Sequence, residues 1–439
     1  MLADLTKRLN QTKNTGWERW RGLPFDPVRS EHLKAVKKLA RALRARTDNL
    51  IVLGIGGSAL GNIALQSALN PTTYNLLPRK LRGGPRLFVL DNVDPEFVGN
   101  TLDEVARSDP KFKRTIINVV SKSGETAETA AQFIIARNML KKKLGKNYAD
   151  HIVAVTDPAK GTMRSICDAE GYATLPVPEG VGGRFSVLSP VGLFSAAMCG
   201  IKIDALLDGA AEMDERCSNP DAMKNPAAVL AFLLMELARR GKVNHVMMPY
   251  CNALYLLADW FRQLWAESLG KRHDKNGKEV FAGATPIKAL GTTDQHSQVQ
   301  LYREGPNDKV FGFVEVESFD RDVKIPTGFK VENLKYLQGS TLGSLLAAEK
   351  RATEFAFVES QRPNFTISFP KLNAHGVGQF IQLWEIVTAY AGLMLNIDAY
   401  DQPAVETGKV ATFGLMGRSG YEQWKRKVEK ALAPTKWKI

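Results

Sequence analysis

Along the chain, short uninterrupted apolar runs bounded by turn formers alternate with longer segments whose apolar positions recur every three to four residues. Leu50–Leu53, Leu87–Leu90, Thr115–Val120 and His151–Val155 make a first series. Runs this short, bounded by turn residues, predict strands, and helical patterns between them predict a parallel sheet. A second series runs through Val243–Met248, Lys309–Val316, Glu354–Val358 and Phe365–Phe369, with amphipathic segments such as Leu254–Leu269 and Phe380–Leu395 intervening. The fold class this predicts is α/β, with two doubly wound parallel-sheet units. A helical lead-in covers 1–45, the first unit 46–210, the second 211–400, and a C-terminal arm 401–439, basic and helix-prone after Tyr421. The joint between the units is expected in the charged, turn-rich passage from Ile203 to Asn225. A length of 439 residues suits two domains of ordinary size.

Polarity narrows the class further. The most lipophilic stretch, Phe380–Ile397, is flanked or broken by Gln379, Gln382, Glu385 and Thr388, which predicts a buried core helix and no membrane span. Met1–Trp20 is polar and charged, without the apolar core of a secretion signal, so the cytoplasm is the expected location. Cys167, Cys199, Cys217 and Cys251 are widely spaced with no C-x-x-C pair, which argues against a disulfide framework or a zinc knuckle. Lysine and arginine exceed aspartate and glutamate by 13. The excess is scattered, and its densest stretches, Lys34–Arg46 and Lys141–Lys146, carry no interleaved aromatics. They read as solvated helix faces, so nucleic acid is not an expected partner, whereas acidic, phosphorylated ligands fit the charge.

Candidate chemistry concentrates where strands hand over to helices. Directly after Thr115–Val120 comes Ser121-Lys122-Ser123-Gly124-Glu125-Thr126-Ala127-Glu128-Thr129. Hydroxyls of Ser121, Ser123 and Thr126, the Lys122 ammonium and a glycine turn meet there at a helix start, where unpaired amides and the helix dipole attract a phosphate. Thr126 and Thr129 could equally cap the helix with no ligand, but the density of hydroxyls favours an anion. Gly54-Ile55-Gly56-Gly57-Ser58-Ala59, after the first strand, is a second candidate anion loop. It matches G-x-G-x-x-A, but the acid expected about 20 residues on is missing, and Asp91 lies too far along, so a dinucleotide reading is weak.

Gly182-Gly183-Arg184-Phe185-Ser186 offers a planar cation to a phosphate or a developing oxyanion, or is a surface turn. In Trp260–Lys271, helical spacing sets Trp260, Leu264, Glu267 and Lys271 on one face. A carboxylate on an apolar stripe is costly, a setting typical of proton-shuttling acids, yet pairing of Glu267 with Lys271 accounts for it slightly better from this stretch alone. His296, in the polar loop Gly291–Gln298, is the most site-like of six histidines, although a lone loop histidine is more often structural. Gln402 and Lys409 lie in a loop punctuated by proline and glycine, Tyr400–Lys409, which says little by itself. In open α/β sheets ligands sit at the carboxyl ends of strands, where these motifs fall.

Taken together and in chain order, these segments from Gly54 to Lys409 resemble the phosphoglucose isomerases in their shorter bacterial form. The resemblance implies two sugar-isomerase (SIS) α/β domains, no metal or other cofactor, and interconversion of glucose 6-phosphate and fructose 6-phosphate. By it, Ser121, Lys122, Ser123 and Thr126 hold the phosphate, with Gly57 and Ser58 in the same pocket and Gln402 close by. Glu267 looks like the base moving a proton between C1 and C2, Arg184 like the group that stabilises the cis-enediolate, and His296 with Lys409 like the pair that opens the sugar ring. In the family that histidine comes from the neighbouring subunit, which implies a homodimer. A dual phosphoglucose/phosphomannose isomerase and a non-catalytic sugar-phosphate-binding SIS module are the alternatives; the second would not need Glu267, His296 and Lys409 together. The chemistry agrees independently, since proton transfer α to a carbonyl needs one base and one cation for the enolate oxygen. One departure is Glu125, an acid where the family often has threonine or another small polar residue. Its side chain is expected to face solvent, leaving only its backbone N–H to the ligand.

Overall fold

The apolar runs of the first series form a parallel sheet. In the computed structural model, which describes residues 1–432, β1 (Asn49–Leu53), β2 (Arg86–Leu90), β3 (Thr115–Val120), β4 (Ile152–Thr156) and β5 (Ala173–Pro176) lie in the order β2-β1-β3-β4-β5. Every neighbouring pair is parallel. All residues of β1, β3 and β4 are buried, which is why these strands read as continuous apolar runs. Ile51, Leu53, Ile117, Val119 and Ala154 pack with Phe133, Ala136 and Leu140 of the helix Ala127–Leu144, each large side chain worth about 1.5–3 kcal/mol of burial.

The second series gives β6 (Asn244–Pro249), a short antiparallel pair β7 (Lys271–His273) and β8 (Glu279–Ala282), then β9 (Thr285–Lys288), β10 (Lys309–Ser318) and β11 (Asn364–Lys371). The parallel order β11-β10-β6-β9 makes a second sheet, cored by Val246, Met248, Phe311 and Phe313 with Phe357. The α/β class and the parallel sheets expected from the pattern are therefore present. Four strands, β5 and β7–β9, were not predicted; all are three or four residues long.

Two expectations are corrected. Glu354–Val358 is not a strand but the end of the helix Leu342–Glu359. A capping box at Thr341 and Ser344 starts that helix, and it buries Phe357 while leaving Phe355 and Val358 exposed, a helical and not an alternating pattern. The passage from Ile203 to Asn225 is not turn-rich throughout: Ile203–Cys217 is a helix. It meets the helix Ala374–Met394 in backbone contact, because a Cβ on Gly209 or Gly378 would fall 1.9 Å from a carbonyl oxygen of the other helix. Ala374–Met394 contains most of the lipophilic stretch and is buried over nearly all of Val377–Gly392, as expected of a core helix. No helix among the described residues is long and apolar enough to cross a membrane.

The lead-in comprises the helices Leu2–Thr12 and Val28–Arg44 with a 3-10 turn, Gly16–Gly22, between them. Arg21, fully buried, fastens it through an ion pair of 2.9 Å to Asp214, which Lys13 also contacts. These elements belong to one compact unit, Met1–Ala399; a second begins at Tyr400 and holds the helices Glu406–Leu415 and Glu422–Ala431. Residues 433–439 of the expected C-terminal arm lie outside the described residues.

Candidate active site

From the adjacent strands β1 and β3 the sheet is built outward in opposite directions, to β2 on one side and to β4 on the other. Their carboxyl ends form the topological switch point at which open α/β sheets bind ligands. Leu53 pairs with Val119, so Gly54–Ser58 and Ser121–Thr126 leave the sheet side by side, about 5 Å apart at the strands. Neither following helix has a side-chain cap: Leu60–Leu69 starts after Ala59, and Ala127–Leu144 after Thr126. The capping box that Thr126 and Thr129 could have formed is absent, which leaves the positive end of an 18-residue helix beside the hydroxyls.

Within the hydroxyl loop, Ser121 Oγ accepts from the Gly124 N–H at 3.0 Å and Ser123 Oγ from the Glu125 N–H at 3.1 Å. The Glu125 amide, expected to serve a ligand, is thus engaged by a neighbouring hydroxyl. The Glu125 carboxylate is exposed, but it is also held sideways, accepting from Thr162 Oγ1 at 3.0 Å. Lys122 Nζ lies 5.5 Å over the Trp17 ring of the lead-in.

Gly57 has a structural use. A Cβ there would stand 2.2 Å from the carbonyl carbon of Gly183, so only glycine lets the β1 loop and the turn Gly183–Phe185 touch. Arg184 follows directly, 3% exposed and therefore not the residue of a surface turn. Its Nε donates to Ser268 Oγ at 2.7 Å, Nη2 to the Ala399 carbonyl at 2.6 Å and Nη1 to Glu267 Oε1 at 2.9 Å. The helix Tyr255–Leu269 buries Trp260, Phe261, Leu264 and Trp265 and leaves 21% of the Glu267 side chain exposed. Gln263, one turn earlier, donates to Glu267 Oε2 at 2.9 Å, and it lies 3.0 Å from where a Gly56 Cβ would be. Gly56 and Gly57 thereby join the β1 loop to both ends of the Arg184–Glu267 pair.

Pairing of Glu267 with Lys271 does not occur through the carboxylate. The helix ends at Leu269, and Lys271, in β7, donates to the Glu267 and Ser268 carbonyls at 2.9 Å each, closing the helix C-terminus. Gly57, Ser58, Arg184 and Glu267 are gathered at the carboxyl end of the first sheet, beside the loop of Ser121, Lys122, Ser123 and Thr126. His296 is exposed on the short helix Thr293–Ser297 that follows β9 of the second sheet, and not in a loop. Gln402 and Lys409 belong to the second unit, where Lys409 Nζ pairs with Glu406 at 2.6 Å.

Residues 31–417 match the family model described as phosphoglucose isomerase. The chain belongs to the phosphoglucose isomerase family. A glucose-6-phosphate isomerase of Carboxydothermus hydrogenoformans is 47% identical over 423 residues, which cover 96% of this chain and 90% of the relative. One of Rubrobacter xylanophilus is 46% identical over 425 residues, with 96% and 94% covered. Among solved structures, a hypothetical protein of Thermus thermophilus superposes with a TM-score of 0.86 at 37% identity, over 95% of this chain and 94% of that one. Two members of the cluster, Gln263 and Ser268, are not among the residues that the sequence motifs single out. Gln263 had a usable signal, its place four residues before Glu267 on the same helix face; Ser268, fully buried against the arginine, had none.

Proposed function

We infer that this protein interconverts glucose 6-phosphate and fructose 6-phosphate by moving a proton between C1 and C2 through a cis-enediolate, a step of glycolysis and gluconeogenesis. The observation that carries this reading is the Arg184–Glu267 pair beside the hydroxyl loop at the β1/β3 switch point. Glu267, on a rigid helix and steadied by Gln263, is the base. Arg184, fixed from three sides, supplies the cation for the enediolate oxygen, and its guanidinium is near the carboxylate without any movement of the backbone. Ser121, Lys122, Ser123 and Thr126 hold the phosphate with Gly57 and Ser58; the family resemblance adds Gln402 to the residues that serve the phosphate. An incoming phosphate takes over the Gly124 and Glu125 amides from the two serine hydroxyls, which turn to donate to it. His296 and Lys409 open the sugar ring.

His296 belongs to the opposite subunit of a homodimer in this reading. Support comes from Val323, Phe329, Val331, Leu334 and Tyr336, exposed apolar side chains within a short segment that a partner would cover. The two parallel sheets support a division into α/β domains at 46–210 and 211–400, the joint running through the helix Ile203–Cys217. The cytoplasm is the place of action, consistent with unbridged cysteines of which three are buried. The deciding test is a coupled assay of fructose 6-phosphate conversion. Glu267→Gln is expected to lower kcat about a thousandfold with KM little changed; wild-type turnover by this variant would refute the assigned base.

A further inference from the structure

At the amino-terminal end of the first sheet, the end of the helix Val28–Arg44, Arg79 and the chain from Gly200 to Asp204 line an open cleft of about 530 Å³. That volume is in the range of small-molecule sites. It is not the hydroxyl cradle: Ala45, on its wall, precedes β1, whereas Gly54–Ser58 follow the other end of that five-residue strand, about 16 Å away.

The lining is strongly one-signed. Lys37, Arg41, Arg44, Arg79 and Lys202 face a single acid, Asp204, whose carboxylate is already held by Lys37. Arg41, Arg44 and Lys202 have no acidic partner among the described residues, and the Arg79 pair to Asp48 is long, at 3.6 Å. Arg79 Nη1 is buried with no hydrogen-bond partner. Arg44 is pre-set: its Nε donates to the Gly83 carbonyl at 2.8 Å, and Gly200, at φ +85°, lets the chain pass so close that a Cβ would be 2.8 Å from Arg44 Nη2. The 15-residue helix Ile203–Cys217 starts in the same wall without a side-chain cap. Its first internal bond is that of the Leu206 N–H to the Lys202 carbonyl, so the amides of residues 203–205 add a positive helix end to the three unpaired cations.

We propose that this cleft is a second anion site of the protein, taking a small molecule that carries two or more phosphate groups. Three unmatched cations, a half-satisfied arginine and a helix end amount to more positive charge than one phosphate neutralises, and like charges held together in a cleft repel until an anion arrives. The basic segment Lys34–Arg46, solvated helix face by its pattern alone, acquires a ligand-binding side in this way.

The test uses tripolyphosphate as probe and calorimetry on the full chain, with saturating fructose 6-phosphate present so that the catalytic cradle is occupied. One tripolyphosphate per chain is expected. Arg41 and Lys202 are both exposed, so R41E/K202E should fold as the wild type does and turn over fructose 6-phosphate normally while binding the probe at least about tenfold more weakly. The milder Arg41→Ala should fall between the two. No binding to the wild type, equal affinity in R41E/K202E, or displacement of the probe by fructose 6-phosphate each overturns the proposal.

Discussion

At Gly57 a single missing Cβ decides whether two loops can touch, and with them whether Arg184 reaches Glu267. An alanine would meet the Gly183 carbonyl carbon at 2.2 Å, a distance that backbone can relieve only by moving apart. Gly57→Ala is expected to lower kcat/KM about a hundredfold with a loss of stability of about 1–3 kcal/mol; thermal unfolding and steady-state kinetics measured together check both. A different residue-scale feature is a buried acid outside the cluster. Glu385, within the buried helix Ala374–Met394, has neither carboxylate oxygen hydrogen-bonded, and burial pushes its acid well above the ordinary value of 4.5. The folded state therefore keeps the proton where the unfolded chain has lost it. Above about pH 4.5 the native state binds more protons, so stability falls as pH rises, by up to about 1.4 kcal/mol per unit. Glu385→Gln should flatten the decline of Tm between about pH 5 and 8, and an unchanged slope would show that Glu385 is not its source. Arg184 and Glu267 were legible as candidates because a charge next to glycines, or on an apolar stripe, stands out in one dimension. Their mutual contact was not, since 83 residues separate them.

At the scale of elements, the hydroxyl loop works because a strand end, a glycine turn and an uncapped helix start coincide. The acid at Glu125 looks hostile to phosphate in the sequence, yet its exposed carboxylate is engaged with Thr162 Oγ1. Exposed and screened, it should cost little: Glu125→Thr is expected to change KM for fructose 6-phosphate by less than about threefold at about 0.15 M salt. A larger fall in KM would mean that the carboxylate swings toward the ligand. Strands buried on both faces, such as Thr115–Val120, could be read directly because their apolar runs are unbroken. Glu354–Val358 was misread because five residues hold too little of a period to separate an alternating pattern from the last turns of an 18-residue helix. The strands β5 and β9 each contain a proline within four residues and carry hardly any pattern.

For the whole molecule, the two sheets are each continuous in the chain, which is why two α/β sets were readable, whereas the strand order that creates the switch point is a property of crossovers that no local pattern records. The same holds for assembly. Glu267 and Arg184 are gathered by one chain, while His296 is exposed after β9, an edge strand of the second sheet; if it acts on the sugar of a second protomer, catalysis is shared between subunits. Light scattering should then give twice the 48.4 kDa chain mass. Hybrid dimers make the sharper test. Glu267→Gln and His296→Ala homodimers are each expected to be strongly impaired. In a hybrid of the two, one site combines Glu267 of the His296→Ala chain with His296 of the Glu267→Gln chain and is intact, while the other lacks both. Random mixing makes half the dimers hybrid, each with one good site in two, so co-expression should restore about a quarter of wild-type activity. If both residues act from the same chain, no combination contains an intact site, and the mixture stays at the level of the two parents.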